Sequence, residues 1–200
     1  MQYLKSDVRA RILAAAEQEF KTNGVGASVR VISENAGISL GNIYRYFSNK
    51  DALFCAVLRP VVEEISEQLL CSFAEKQDPQ YAAETVVDYL WQHPDKLAII
   101  QQASRFYVDG FNTILTEECS NVVEKALAWY PDFTTKVKNP YFATAVTAGF
   151  LQALTFTKLS DTTPEEQKRN VKELVVFFFG GLENRCENYK QCRNFHSDLN

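Results

Sequence analysis

Apolar residues recur at helical spacing along almost the whole chain. Val8, Ile12, Ala16 and Phe20 stand at four-residue steps and form one stripe, which predicts an amphipathic helix with a single buried face. Ser6 is placed to cap its start, and Asn23-Gly24 to end it, since glycine adopts the left-handed conformation that helix C-termini favour. Ser28 opens a short second helix that runs to about Asn35. Gly37 makes a turn, and Ser39 caps a third helix ending at Phe47. In this pair Ile32, Ala36, Ile38, Ile43 and Phe47 fall on the inward side. Ser48 and Asp51 have capping-box spacing and open a fourth helix reaching about Phe73. That helix contains Pro60, which removes a backbone hydrogen bond and whose ring clashes with the carbonyl four residues back. A kink or break near Ala56 to Pro60 is expected.

Later boundaries are marked as clearly. Asp78-Pro79 is a cap followed by proline at the first helical position, and His93-Pro94 breaks that helix and starts another. Gly110 and Pro131 punctuate the next stretch, Asn139-Pro140 opens a helix to about Lys158, and Thr163-Pro164-Glu165-Glu166 combines a cap, a first-position proline and a capping box. The last helix is expected to run to about Cys192, with a frayed tail beyond it. No segment sustains period-two alternation. The fold class is therefore all-α. An N-terminal three-helix head (1–48) carries a helix-turn-helix, and a helical body (49–200) follows.

Charge sharpens this division. Residues 1–50 hold seven basic and four acidic side chains, a net of +3, whereas the whole chain of 200 residues is at −4. Phosphate attraction is local, screened within about 8–10 Å, so a basic head on an acidic body suits a partner with a phosphate backbone. The second short helix of the head would turn Leu40, Gly41, Asn42, Tyr44 and Arg45 outward, without a carboxylate. Such a face fits the major groove, where Asn and Arg offer paired hydrogen bonds and apolar groups meet thymine methyls. Lys50 lies in the first turn of the fourth helix, where the macrodipole disfavours a cation and a nearby phosphate would offset that cost.

The run from Ile38 through Ser39-Leu40-Gly41-Asn42-Ile43-Tyr44-Arg45-Tyr46-Phe47-Ser48-Asn49-Lys50 to Leu53, with Ser28-Val29-Arg30-Val31-Ile32 and Ala36-Gly37 upstream, resembles the signature of the TetR family of bacterial regulators. The resemblance implies a homodimeric helix-turn-helix protein that binds a palindromic double-stranded DNA operator. It places Ser28 at a phosphate, Arg30 at a base edge, Leu40, Gly41 and Asn42 at the groove floor or backbone, and Tyr44 at a phosphate or thymine methyl. Tyr46 and Lys50 match backbone-contacting positions, and Ser39 and Arg45 complete the candidate DNA-contacting set. Leu40 departs from the polar or basic residue often found there, which points to van der Waals readout at that position.

The body holds 20 of the 25 aromatic residues. Family members commonly bind a small molecule among the central helices and release DNA. The candidate lining for a small apolar or aromatic effector is Trp91, Phe106, Tyr107, Phe111 and Phe150, with Asp109 a further polar candidate. Gly149, Val175, Phe178, Phe179 and Leu182 are the candidate dimer interface, on helices near 140–158 and 164–192 that would form a four-helix bundle with their two-fold mates. A second reading keeps the DNA-binding head and makes the body a protein-interaction or thiol-sensing module. The five scattered cysteines argue against a secreted disulfide framework and for the cytoplasm; Cys55 and Cys71 are expected to be buried. The start lacks signal-peptide character, and no apolar run approaches membrane-spanning length. His93 and His196 lie far apart, and no phosphate loop, HExxH, CxxC or nucleophile-elbow pattern is present. No metal, cofactor or catalytic group is expected, and an enzyme is the remote reading.

Overall fold

The computed structural model describes residues 5–103, 109–129, 140–154 and 162–179. They form helices α1 (Lys5–Asn23), α2 (Val29–Ala36), α3 (Leu40–Tyr46), α4 (Lys50–Lys76), α5 (Pro79–Gln92), α6 (Pro94–Ala103), α7 (Asp109–Trp129), α8 (Pro140–Leu154) and α9 (Pro164–Phe179). No strand occurs among the described residues. The fold is all-α, with a helix-turn-helix head and a helical body.

Local chemistry explains most of the boundaries. Asp78 accepts from the backbone N–H groups of Gln80 and Tyr81 and caps α5 ahead of Pro79. At α9 the capping box is complete in both directions: Thr163 Oγ1 accepts from Glu166 N, and Glu166 accepts from Thr163 N. These hydrogen bonds hold the Glu166 carboxyl below its usual range. Ser39 stands at the N-cap of α3 as expected, without a side-chain cap bond. Two expected caps are corrected. Ser6 lies inside α1. At α4 the cap is Asn49, not Ser48, and it accepts from Ala52 N at 2.7 Å.

Pro60 neither breaks nor ends α4, which continues as one helix to Lys76. The buried face explains why. Leu53, Phe54, Val57 and Leu58 before the proline and Val62, Ile65, Leu69, Leu70 and Phe73 after it share one continuous core. Each such side chain contributes about 1.5–3 kcal/mol on burial, so several together outweigh one lost backbone hydrogen bond. Pro60 itself is on the exposed side. It lines a cleft of about 510 Å³ between α1, α4 and α7, with Arg9, Arg59 and Glu63 among the polar walls.

Head and body are joined by α4 and α6. Phe54 of α4 meets Phe20 of α1 edge to face, ring centroids 5.1 Å apart. Lys21 of α1 pairs with Asp95 of α6. Gly24 takes a left-handed conformation, φ +51°, and a Cβ there would lie 2.1 Å from Gln102 Oε1 of α6, so that side chain would have to shift. Lys96 of α6 donates to Glu64 of α4 and to the Tyr89 hydroxyl of α5, and that hydroxyl donates to Glu64. His93 closes α5, stacks on Tyr89 and places Nδ1 2.8 Å from the Tyr89 carbonyl oxygen, a capping position.

Two predictions follow from α4. Pro60→Ala restores a helical donor at an exposed site. It should raise the unfolding free energy by about 1–3 kcal/mol, read as a higher urea midpoint with unchanged slope. A lower midpoint would mean that the ring is needed for packing. The Lys96 ammonium beside Glu64, helped by the Tyr89 hydroxyl, holds the Glu64 carboxyl below its usual range. Its folded-state value is depressed, so the stabilisation is present above the unfolded value of about 4.3 and is lost as pH falls through the folded one. The stability gap between wild type and Glu64→Gln should therefore narrow on acidification below pH of about 4. A gap independent of pH would contradict this.

Candidate nucleic-acid interface

α2 and α3 are too short to be stable alone, and the surrounding chain holds them in place. Ile32 and Ala36 of α2, Ile43 of α3 and Phe47 after it are buried with Ile12, Ala16 and Phe20 of α1. Ile38 in the turn is half-buried. This is the inward set expected from the spacing. Gly37 takes a left-handed conformation, φ 63° and ψ 40°, and its N–H returns to Glu34 and Ser33. Arg11 of α1 reaches across and donates to the carbonyls of Ala36 and Gly37. It places a cation at the C-terminal end of α2, where the helix dipole favours one. A Cβ on residue 37 would lie 2.8 Å from that guanidinium.

The N-terminal end of α2 is fixed by three contacts. Ser28 accepts from Val31 N, and its own N–H donates to Glu19 of α1 at 3.0 Å. Lys50 donates from Nζ to the carbonyls of Val25 and Ala27, just before α2. The sequence pointed to a phosphate as the partner that offsets the position of Lys50 in the first turn of α4. The structure adds backbone carbonyls that do the same and that tie α4 to the start of α2. Only the fold brings Lys50 beside residues 25 and 27, so this role is not visible in the sequence, and the same holds for Arg11.

The outer face is open. Leu40 is 40% exposed and Tyr44 48%, and Ser39, Gly41 and Arg45 are exposed beside them. A Cβ on Gly41 would meet nothing within 4 Å, so a surface can approach the backbone closely there. Asn42 and Tyr46 are half-buried, and Tyr46 packs against the core. Arg30 is on the exposed side of α2, paired with Glu34. The candidate residues thus lie on the two helices of the motif and at its edges.

Comparison with known proteins decides what this head is. The family model for bacterial regulatory proteins, tetR family, matches residues 12–57. The match spans α1 to the first turns of α4, so the head of this chain resembles that of TetR-family regulators. It is 26% identical over 177 residues to the HTH-type transcriptional regulator UidR of Escherichia coli strain K12, covering 84% of this chain and 88% of the relative. TetR-type folds extend over the body as well. The regulator FadR from Bacillus subtilis, solved with stearoyl-CoA, superposes with a TM-score of 0.62 at 18% identity over 86% of this chain and 98% of that one. NalD of Pseudomonas aeruginosa, the secondary repressor of the MexAB-OprM multidrug efflux pump, gives 0.57 at 22% identity over 88% and 98%. The chain is a DNA-binding transcriptional regulator. No helix among the described residues is long and apolar enough to cross a membrane.

The body departs from the expected effector and interface residues. A narrow apolar cavity of about 50 Å³ lies between α4, α5, α7, α8 and α9, lined by Leu69, Leu70, Phe73, Val122, Val123 and Thr147, among others. Trp91 is not in it; its indole N–H donates to the Pro164 carbonyl and ties α5 to the start of α9. Phe150 is fully buried against Phe179, edge to face at 5.4 Å. Neither is among the residues that line this cavity. Phe106 and Tyr107 lie outside the described residues, as do the side chains of Asp109 and Phe111. Val175 and Phe179 are buried within the protomer, so they offer no surface to a partner. Gly149 admits Phe178, whose Cε1 would stand 3.2 Å from a Cβ there, so that close approach is within the chain. Leu182 lies outside the described residues, with Cys186, Cys192 and His196. The apolar surface that α9 leaves open is Leu174, Val176 and Phe177, the last 62% exposed. Cys71 is exposed, contrary to expectation, and Cys55 is half-buried.

The Arg11 contact yields a direct test. Arg11→Met leaves two carbonyls at the turn without their charged donor. It should cost about 1–3 kcal/mol of stability and weaken DNA binding through a less ordered α2–α3 pair. Unchanged urea midpoint and unchanged affinity would remove Arg11 from the account.

Proposed function

We propose that the protein is a homodimeric repressor that leaves a two-fold symmetric operator when a small apolar effector enters its body. The observation that carries the DNA half is the outer face of α3. Leu40, Tyr44 and Arg45 stand exposed, with Gly41 open between them and no carboxylate on the helix. In this reading Arg30, Asn42 and Arg45 address base edges, and Leu40 and Tyr44 meet thymine methyls or sugar. Ser28, Ser39, Gly41, Tyr46 and Lys50 line the path of the phosphate backbone. Residues 1–48 form the DNA-binding head and 49–200 the regulatory body.

The cavity supports the effector half. Its described lining has no charged side chain and one polar group, Thr147, which fits an uncharged apolar ligand better than an anion. NalD is a repressor, and FadR was solved with stearoyl-CoA, whose acyl chain, though not its anionic CoA head, matches such a lining. Cys55 and Cys119 are poorly suited to thiol sensing. Burial pushes the Cys119 thiol up to about 12 and also raises that of Cys55, so neither forms a reactive thiolate readily. The dimer reading rests on Val176 and Phe177, apolar and exposed on α9 beyond the face that the protomer buries.

A two-fold dimer presents its recognition helices to successive major grooves, roughly 34 Å apart. Footprinting should therefore show two protected half-sites about one helical turn apart. Affinity should fall steeply with salt as counterions are released. Tyr44→Ala should weaken binding to every duplex while leaving the fold intact. Phe177→Glu should give monomers that no longer hold an operator. A folded Tyr44→Ala protein with unchanged operator affinity would overturn the assignment of α3 as the recognition helix.

A further inference from the structure

The cleft between α1, α4 and α7 is built differently from the cavity in the body. Its volume is about 510 Å³, against about 50 Å³ for the cavity, and sites for small molecules commonly measure about 300–1,000 Å³. Its inner lining is apolar: Ile114 is buried, and Leu13, Ala52, Cys55 and Ala56 are half-buried. Its rim is charged. Arg9 comes from α1, Arg59 and Glu63 come from α4, and all three are exposed. One side of the cleft thus suits hydrocarbon and the other an ion.

Two features define the ion and its partner groups. Arg9 makes no ion pair among the described residues; its guanidinium carbon lies over the Phe47 ring, 5.6 Å from the centroid. Arg59 donates through Nη1 and Nη2 to one oxygen of Glu117 on α7, at 3.4 and 3.3 Å. A guanidinium has five N–H donors, so Arg59 can receive a second anion beside Glu117 without giving up that pair. The other feature is Pro60. It returns no N–H to the Ala56 carbonyl four residues back, and both residues line the cleft. An acceptor released from the helix therefore stands on the α4 wall, beside the cations.

We propose that this cleft binds an amphipathic organic anion. Its carboxylate is held by Arg9 and assisted by Arg59, its hydrocarbon lies against Leu13, Cys55 and Ile114, and a hydroxyl donates to the Ala56 carbonyl. Such a ligand differs in chemistry from the uncharged effector of the body cavity, and the site does not depend on that reading. α1 belongs to the head, whereas α7 belongs to the body, so an occupant of the cleft touches both.

The test uses the full-length protein and ω-hydroxydecanoate below its micellar concentration. Binding is read by calorimetry, and its place by alkylation with N-ethylmaleimide and peptide mass analysis. The probe should slow alkylation of Cys55, which lines the cleft, and leave Cys71, exposed on α4 outside that lining, unchanged. Arg9→Ala should weaken binding about tenfold, the value of one charge-assisted hydrogen bond, and Arg9→Lys should recover part of the loss. The methyl ester of the probe should lose at least as much. Decanoate, which lacks the hydroxyl, should bind about threefold more weakly, as expected for one neutral hydrogen bond. Arg9 is exposed, and an unchanged urea midpoint would show that its variants remain folded. Absence of binding at millimolar probe, or binding that neither protects Cys55 nor responds to Arg9→Ala, would overturn the site. An ester that binds as tightly as the acid would overturn the choice of an anion, and equal affinity for decanoate would remove the Ala56 contact.

Discussion

The apolar seam along α4 is the constraint on which the rest of the structure depends. Its first turns bury Leu53 and Phe54 in the core of the head; its later turns bury Ile65, Leu69, Leu70 and Phe73 in the body. A helix with both ends anchored in packed cores transmits displacement, because close-packed interiors do not deform continuously. Lys50 at its first residue holds the chain before α2, so movement of α4 reaches the recognition motif directly. The Lys21–Asp95 pair and the close fit of Gln102 over Gly24 give the head a second tie, through α6. Orientation of the head is thus set by two helices that also border the body.

The DNA-facing surface is built on the opposite principle. There, side chains are left exposed and the backbone is fixed from behind. Arg11 satisfies carbonyls at the end of α2, Ser28 and Glu19 satisfy donors at its start, and Gly37 supplies the left-handed turn. Preorganisation of this kind lowers the ordering cost when a duplex docks. Exposed apolar residues form two groups, Val31, Leu40 and Tyr44 on α2 and α3 and Leu174, Val176 and Phe177 on α9, with Val25 before α2 and Trp129 at the end of α7 apart from both. Under the proposed function the first group would meet DNA and the second a copy of this chain.

Much of this was legible in the sequence, for identifiable reasons. The head was readable because Ile32, Ala36, Ile43 and Phe47 recur at helical spacing around one glycine turn. Asp78-Pro79 and Thr163 to Glu166 were readable because cap and proline fall at fixed offsets. The cap of α4 shifted by one residue because Ser48 and Asn49 both have cap chemistry, and the contact with Ala52 N decides between them. Of the kink or break expected at Pro60, the break did not occur, because a local rule met a long buried face. The body was least legible. Aromatic density drew attention to Trp91 and Phe150, yet the cavity is lined mainly by aliphatic side chains from five helices. Their adjacency is a product of packing that no local spacing records. On α9, apolar residues cover more than one face, and periodicity alone did not separate the buried Val175 and Phe179 from the exposed Val176 and Phe177.

The central claim is that duplex DNA is held by the outer surface of α2 and α3. The most direct measurement is amide hydrogen exchange of the full-length protein with and without a duplex selected from a random library. The account predicts that slowed exchange concentrates between Ser28 and Lys50, strongest around Leu40 to Arg45, with smaller changes along α4 and α6. Slowed exchange confined to the body, with residues 28–50 unchanged on a duplex that binds, would contradict it.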